Sequence, residues 1–303
     1  MKLVNIVIQG QTQLGIRLDS GIITAADLSA LVEKQGLLTE SLPQTLEELF
    51  LDESALSRLQ AALMEVAGGL EHANGSFLLS EDEVQLAPVV PAGTKVICIG
   101  INYGKHSAET NIAAASTPIV FSKFSNALAA HGESIPLPKH SRQIDYEGEL
   151  AVVIGKRASS VSRDEALHYV LGYCNSNDVS ARDIQFRTSQ WLLGKTYDKF
   201  APVGPYLVTA DEVGDPNQLN IRTYVNGEIR QNSHTSDMIF DVRDLIHELS
   251  HNLTLEPGDV ILTGTPEGVI LGLPEDERVW LSAGDEVTVE IDKLGRLTNT
   301  FRE

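Results

Sequence analysis

Cysteine is scarce in this chain, which has two among its 303 residues. Cys98 and Cys174 both lie in apolar runs, so we interpret them as small core side chains rather than as a disulfide. Stability has to come from a hydrophobic core, and 42% of the residues are hydrophobic, which is enough to build one. Low cysteine usage is also typical of a reducing compartment and predicts a cytoplasmic protein.

Basic residues are few as well: 23 lysines and arginines stand against 42 aspartates and glutamates, which gives a net charge of −19. Nucleic acids and anionic membranes are polyanions, so this charge argues against both as partners. No apolar segment approaches the length of a transmembrane helix, and the opening MKLVNIVIQG lacks the pattern of a signal peptide.

Several catalytic motifs are missing too. The chain has no G-x-S-x-G motif, no Walker loop and no G-x-G-x-x-G after a predicted strand. No cysteine and histidine grouping has the spacing of a zinc site. These absences argue against a serine hydrolase, a P-loop enzyme and a dinucleotide-binding enzyme.

The chain does contain two glutamates two residues apart, Glu147 and Glu149, in the run DYEGEL. Residues at this spacing in a strand point to the same face. The strand continues into LAVVIG, an apolar run without alternation, which indicates burial on both sides. Such a pair is more often simply solvated, but like charges at the edge of a core need a cation. A hard divalent ion fits, and Asp178 in NSNDVSARD offers a third carboxylate.

The pattern of the chain changes near residue 90, where prolines interrupt VQLAPVVPAG. Residues 1–90 predict a small α/β domain whose longer helix begins at Thr45. Residues 91–303 predict many strands, one helix that begins at Ser162 and another that carries Val242. We therefore predict an α+β fold whose larger domain is a β-rich, rolled or closed mixed sheet.

Five stretches of the larger domain hold most of its polar chemistry: ICIGINYGKHSAE, DYEGELAVVIG, GYCNSNDVSARDIQ, LLGKTYD and GDVILTGTPEGV. In order and spacing they resemble the fumarylacetoacetate hydrolase family, and the flanking VNGEIRQ, SDMIF and LSAGDEVTVEI agree. The resemblance covers roughly residue 90 to the end. It implies the β-rich mixed sheet of that family, a divalent metal site and a homodimer.

The resemblance also implies roles for particular residues. Glu147, Glu149 and Asp178 match the metal ligands of the family, with Mg²⁺ or Mn²⁺ as the ion. His106 and Glu109 are three apart, so they share one face of a helical turn. They match a dyad on a mobile lid, in which Glu109 orients the imidazole and His106 takes a proton.

Three further residues are implied to contact the substrate. Lys195 in LLGKTYD matches a lysine beside the metal, which would stabilise an enolate. Gln185 matches a position that contacts substrate or orients water, and Thr265 matches one that binds the substrate carboxylate. Arg182 could serve either substrate or structure.

The activity implied is metal-dependent hydrolysis of a C–C bond in a small 2,4-dioxo acid of the acylpyruvate type, through an enolate stabilised by the metal and Lys195. The same residues suit oxaloacetate decarboxylation, keto–enol isomerisation or dehydration of a 2-oxo-3-deoxy sugar acid, and these alternatives stay open. A non-catalytic metal-binding protein is a further alternative, which the presence of His106, Glu109 and Lys195 disfavours.

The chain departs from the family pattern at one place. After GTPEGV it continues with Ile270, Leu271 and Gly272, followed by the acidic LPEDERVW. We expect this segment to shape the substrate pocket or a subunit contact.

Overall fold

The computed structural model describes residues 1–36, 40–70, 77–110 and 116–303, with only the backbone described for 67–70. The elements of the N-terminal part are β1 (Lys2–Ile8), β2 (Gln11–Leu18), β3 (Gly21–Thr24), α1 (Ala25–Lys34), α2 (Leu46–Leu51), α3 (Ala55–Leu70) and β4 (Gln85–Leu86).

Strands dominate the rest of the chain. They are β5 (Val96–Gly100), β6 (Ile119–Lys123), β7 (Leu128–Ala129), β8 (Ser134–Pro136), β9 (Ile144–Asp145), β10 (Gly148–Ile154), β11 (Val170–Asn177), β12 (Ser180–Ala181), β13 (Ala201–Thr209), β14 (Asn220–Val225), β15 (Glu228–His234), β16 (Val260–Leu262), β17 (Glu286–Ile291) and β18 (Gly295–Arg302). The helices are α4 (Gly104–Thr110), α5 (Arg182–Gln185), α6 (Leu192–Lys195), α7 (Ala210–Val213) and α8 (Val242–Asn252).

Most strands belong to two mixed sheets. The central sheet has the order β3-β2-β1-β13-β11-β10-β16-β5-β6, with β4 added to β1 and β7 to β13. A second sheet, β15-β14-β17-β18-β8, contacts it through β14, β17 and β18. The α+β, β-rich prediction is confirmed. A closed sheet is not observed, because in the described part of the chain the strand order of each sheet begins and ends at an edge strand.

The central strand β10 explains the apolar run without alternation. All of its residues are buried. Leu150 and Val152 pack in the cluster that includes α8, whereas Ala151 and Val153 pack in the cluster that includes α1 and α3. A strand covered on both faces takes apolar side chains at successive positions.

The predicted long helix from Thr45 is two helices. Thr45 does cap α2, since its hydroxyl accepts a hydrogen bond from the Glu48 N–H at 3.2 Å. The chain then leaves the helix at Asp52, whose Oδ1 accepts hydrogen bonds from both the N–H and the hydroxyl of Ser54. Aspartate competes with helical bonding in this way, which is why α3 begins anew at Ala55.

The helix predicted from Ser162 is wrong, whereas α8 is confirmed. After Ser162 the chain forms only a 3₁₀ turn at Ala166–Tyr169. The Ser162 hydroxyl donates to the Glu165 carboxylate at 2.8 Å, so the expected reciprocal cap does not form. Helix α8, by contrast, begins with a complete capping box between Asp241 and Asp244.

Both cysteines are free and buried, Cys98 in β5 and Cys174 in β11. Burial raises the pKa of both thiols, that of Cys174 to about 12. The interpretation as core side chains is confirmed.

The N-terminal strands join the rest of the molecule through β1, which pairs with β13 in the central sheet. The large cluster that covers one face of that sheet also draws on both sides of residue 90. The domain boundary at that residue stays a prediction. No helix in the described ranges is long and apolar enough to cross a membrane.

Candidate active site

Four neighbouring strands bring the predicted residues to one end of the central sheet. Strands β5 and β16 are parallel, whereas β10 is antiparallel to both β16 and β11. The C-terminal ends of β5, β11 and β16 and the N-terminal end of β10 therefore lie together. Asp178 directly follows β11, Thr265 lies shortly after β16, and Glu149 is the second residue of β10.

A cavity at this end is lined by six of the eight predicted residues, namely His106, Glu147, Glu149, Gln185, Lys195 and Thr265. The other two, Glu109 and Asp178, bond directly to lining residues, Glu109 to His106 and Asp178 to Lys195. The structure thus brings all eight residues together.

The three acidic residues form a compact group. One carboxylate oxygen from each of Glu147, Glu149 and Asp178 lies within 4.8 Å of the others, and all three residues are buried. The backbone fixes two of them relative to each other, because the Asp178 N–H donates to the Glu147 carbonyl at 2.8 Å. Three carboxylate oxygens at this spacing can face one cation.

Cationic side chains already surround two of these carboxylates. Lys195 Nζ lies 2.6 Å from Glu147 Oε2 and 2.8 Å from Asp178 Oδ2. Arg182 Nη2 lies 2.7 Å from Glu147 Oε1, and the buried Lys123 donates to Asp178 Oδ1. Burial alone would raise the pKa of Glu147, but Lys195 and Arg182 hold it well below its usual range.

Glu149 is in a different environment. Its carboxylate accepts a hydrogen bond from the Gly264 N–H at 2.7 Å, and it forms no ion pair with any residue that the structure describes. Burial, together with the charges of Asp178 and Glu147, raises its pKa well above the usual value. A buried carboxylate without a cation, beside two others, is what a divalent-metal site of oxygen ligands provides, so the residues fit such an ion.

The dyad forms on the short helix α4. His106 Nδ1 lies 2.8 Å from Glu109 Oε1, and the second oxygen of Glu109 accepts from the Gly268 N–H at 2.9 Å. A carboxylate at Nδ1 places the proton on that nitrogen. The Nε2 atom of His106 is then left with a lone pair, and the residue lines the cavity.

Gln185 and Thr265 are both held in fixed orientations. Gln185 Oε1 accepts from Arg182 Nη1 at 3.0 Å, which orients the amide so that Nε2 is the remaining donor. The Thr265 hydroxyl donates to the Gly148 carbonyl at 3.0 Å and accepts from Gln231 Nε2 at 2.8 Å. Their contact with substrate stays a prediction.

Asp145 is a further buried residue of the site that the sequence reasoning missed. It accepts the Ile270 and Leu271 N–H groups at 2.9 and 3.0 Å, and Arg182 Nε at 2.9 Å. The departure from the family pattern is therefore tied to the site: Leu271 lines the cavity, and Gly272 packs on Glu109.

Lys123 was missed as well, although its strand carries a signal. In β6, Val120 and Ser122 are exposed, whereas Phe121 is half-buried and Lys123 fully buried. The alternation thus places a lysine at an inward-facing position, where it needs an anionic partner.

Fold and site together define an enzyme class. Residues 95–302 match the family model "Fumarylacetoacetate (FAA) hydrolase C-terminal". The chain belongs to the fumarylacetoacetate hydrolase family, whose members are enzymes that include hydrolases, tautomerases and isomerases.

Individual relatives within the family are also similar to this chain. The chain is 42% identical over 262 residues to a Xenopus laevis protein named oxaloacetate tautomerase fahd2, mitochondrial, which covers 86% of this chain and 79% of the relative. It is 46% identical over 223 residues to the Rattus norvegicus protein oxaloacetate tautomerase Fahd2a, mitochondrial, covering 73% and 71%. The structure of a fumarylacetoacetate hydrolase from psychrophilic Exiguobacterium antarcticum matches with a TM-score of 0.77 and 31% identity, over 100% of this chain and 99% of that one.

The names of the two relatives place them in mitochondria. The cytoplasmic location stays a prediction for this chain.

Proposed function

We propose that this protein is a metal-dependent tautomerase that interconverts the keto and enol forms of oxaloacetate. The observation that carries the proposal is the dyad: His106, with Nδ1 held by Glu109 at 2.8 Å, lines the same cavity as Lys195 and the acidic group. The two relatives above, 42% and 46% identical to this chain, bear the name oxaloacetate tautomerase.

Tautomerisation moves one proton between C3 and the oxygen on C2, and the C–H bond is the one σ bond to carbon that breaks. His106 Nε2 removes the C3 proton, and Glu109 stabilises the imidazolium that forms. The electron pair of the C–H bond becomes the π bond between C2 and C3, the π pair of the 2-oxo group moves to its oxygen, and the imidazolium returns its proton to that oxygen. The reverse sequence converts enol to keto.

Negative charge develops on the 2-oxo oxygen as the C3 proton leaves. Lys195 lines the cavity and carries a positive charge there, since Asp178 and Glu147 raise its pKa although burial alone would lower it. A divalent ion held by Glu147, Glu149 and Asp178 would supply further positive charge at the same oxygen.

Hydrolysis of an acylpyruvate is the second candidate. The likeness to the fumarylacetoacetate hydrolase from Exiguobacterium antarcticum, which extends over the whole chain, favours it. The same dyad would then take a proton from water instead of from C3.

The first test measures the decay of enol oxaloacetate by its ultraviolet absorbance, with Mg²⁺ or Mn²⁺ and after metal removal. We expect metal-dependent acceleration over the spontaneous rate. We expect His106→Ala to lower it about 10²–10⁴-fold, while the rise in melting temperature on adding metal stays as in the wild type. His251→Ala, on the exposed face of α8, is the matched control.

Acetylpyruvate cleavage is measured in parallel. Faster enol decay with little cleavage supports the tautomerase, whereas cleavage without an effect on enol oxaloacetate supports the hydrolase. Full tautomerase activity in His106→Ala would contradict the role given to the dyad.

A further inference from the structure

The cavity also has apolar lining residues, of which three are aromatic: Phe121, Phe186 and Trp191. Phe186 is exposed, whereas Phe121 and Trp191 pack against each other. Trp191 directly precedes α6, the helix that ends at Lys195. Its ring packs on the backbone of Gly100 so closely that a Cβ added there would lie 2.6 Å from Trp191 Cζ3. The backbone of β5 therefore limits where the indole can lie.

The two aromatic side chains support each other. Their ring centroids are 5.4 Å apart with an interplanar angle of 69°, which is the edge-to-face arrangement. Phe121 also lies under Lys195, with Nζ 5.0 Å from the ring centroid. The pair is thus a rigid part of the cavity wall.

A second concavity, the adjacent groove, shares lining residues with the cavity. It is lined by residues 93–97, 120–125 and 190–192 together with Leu253. Among the described residues, Trp191 and Phe121 are the two that line both the cavity and the groove. The aromatic pair therefore separates the two spaces.

We propose that Trp191 and Phe121 limit the chain length of the substrate, so that the protein accepts 2-oxo acids of three or four carbons and excludes those with longer tails. The proposal rests on the proposed function in one respect, which is that the substrate is a 2-oxo acid with its acidic end at the polar residues. The tail then extends away from Glu147 and Glu149. A tail of more than about two carbons meets the aromatic rings, which are held in place by the close approach of Gly100 and by their edge-to-face contact.

Trp191 is the specificity-determining residue of the pair that can be tested cleanly. Replacing Phe121 would also remove the ring beneath Lys195, whereas Trp191 has no described contact with that ammonium group. Truncating Trp191 should join the cavity to the groove and open an apolar channel for a tail.

The experiment measures binding by calorimetry in Mg²⁺ and again in Mn²⁺, with pyruvate, 2-oxobutyrate and 2-oxohexanoate as ligands. We expect wild-type protein to bind 2-oxohexanoate at least about tenfold more weakly than pyruvate. In Trp191→Ala the difference should vanish or reverse, because each methylene that becomes buried adds to binding. Phe124→Ala, which lines only the groove, should keep the wild-type ratio.

Trp191→Leu is the second variant. If Trp191→Ala does not fold, the affinities of Trp191→Leu test whether Trp191 limits the chain length of the ligand. The proposal would be overturned if a folded Trp191 variant kept the wild-type ratio of affinities for pyruvate and 2-oxohexanoate. It would also be overturned if the wild-type protein bound 2-oxohexanoate as tightly as pyruvate, or bound no 2-oxo acid. Because the readout is binding, an absence of tautomerase turnover with an altered ratio would reject the proposed function and leave the length limit standing.

Discussion

Glu149 shows most directly what a cation would do in this site. The raised pKa means that the folded state holds the Glu149 proton more tightly than the unfolded chain does. Its contribution to stability is therefore present at low pH and is lost as the pH rises through the folded-state pKa, above the usual glutamate range.

Glu149→Gln should make the metal-free protein more stable than the wild type at pH 8, because it removes a buried charge that forms no ion pair with any described residue. The gain should shrink towards pH 5, and each kcal/mol corresponds to roughly 2–4 °C in melting temperature. The variant should also lose the rise in melting temperature that Mg²⁺ or Mn²⁺ produces. Thermal melts across this pH range check both effects, with exposed Glu65→Gln as the control. A metal response equal to that of the wild type would exclude Glu149 as a ligand.

The sequence indicates which carboxylates gather but not which cations meet them. Glu147 and Glu149 could be placed on one face because their relation is local, at a spacing of two in one strand. Lys123 reaches Asp178 from β6, and Arg182 reaches Glu147 from α5. Their proximity follows from the order of strands in the sheet, which residue spacing does not specify.

At the scale of elements, helix α4 is held against the 3₁₀ turn Ile270–Gly272. A Cβ on Gly272 would lie 2.5 Å from Glu109 Cδ. The contact is with the end of a flexible side chain, so Glu109 would move rather than the backbone.

Gly272→Ala should therefore lower turnover with little change in stability, because a displaced Glu109 no longer orients His106. We expect a loss of about tenfold or more in kcat and a melting temperature within about 2 °C of the wild type. Gly104→Ala is the matched control, since a Cβ at that position of the same helix meets open space. Equal kcat in Gly272→Ala and wild type would show that the turn does not position the dyad.

Helices and strands with a complete local pattern could be predicted, and others could not. The stripe of α8 and the Asn226–Gly227 hairpin of β14 and β15 follow from sequence alone. Strand β11 lacks a strand pattern in the sequence, because it ends in Asn175, Ser176 and Asn177, three polar residues that are all buried. The Asn175 side-chain amide donates from Nδ2 to the carbonyls of Gly204 and Leu294, both at 3.1 Å and distant in sequence. Long-range hydrogen bonds of this kind let polar residues occupy a core strand.

On the scale of the whole molecule, the central sheet unites the N-terminal strands with the strands that carry the site. Val96, Cys98, Ala151 and Val153 are covered by a cluster that includes α1 and α3. The homodimer implied by the family resemblance remains a proposal for this assembly.

Deleting residues 1–90 tests the predicted boundary. We expect the remaining chain, 91–303, to aggregate or to lose its cooperative melting transition, because the deletion uncovers one apolar face of the sheet and removes β1, which pairs with one edge of β13. Solubility, light scattering and thermal melts would show this. A soluble, cooperatively folding fragment would instead establish 91–303 as an independent domain.

The reactivity of the two buried thiols can report how often the central sheet opens transiently. Only the thiolate reacts with alkylating agents. Both cysteines are buried in the central sheet, Cys98 in β5 and Cys174 in β11, and burial raises the pKa of both thiols. Alkylation can therefore proceed only through conformers in which the sheet has opened. The rate of thiol modification, followed by mass spectrometry, therefore measures the frequency of such openings without an added dye or an engineered label.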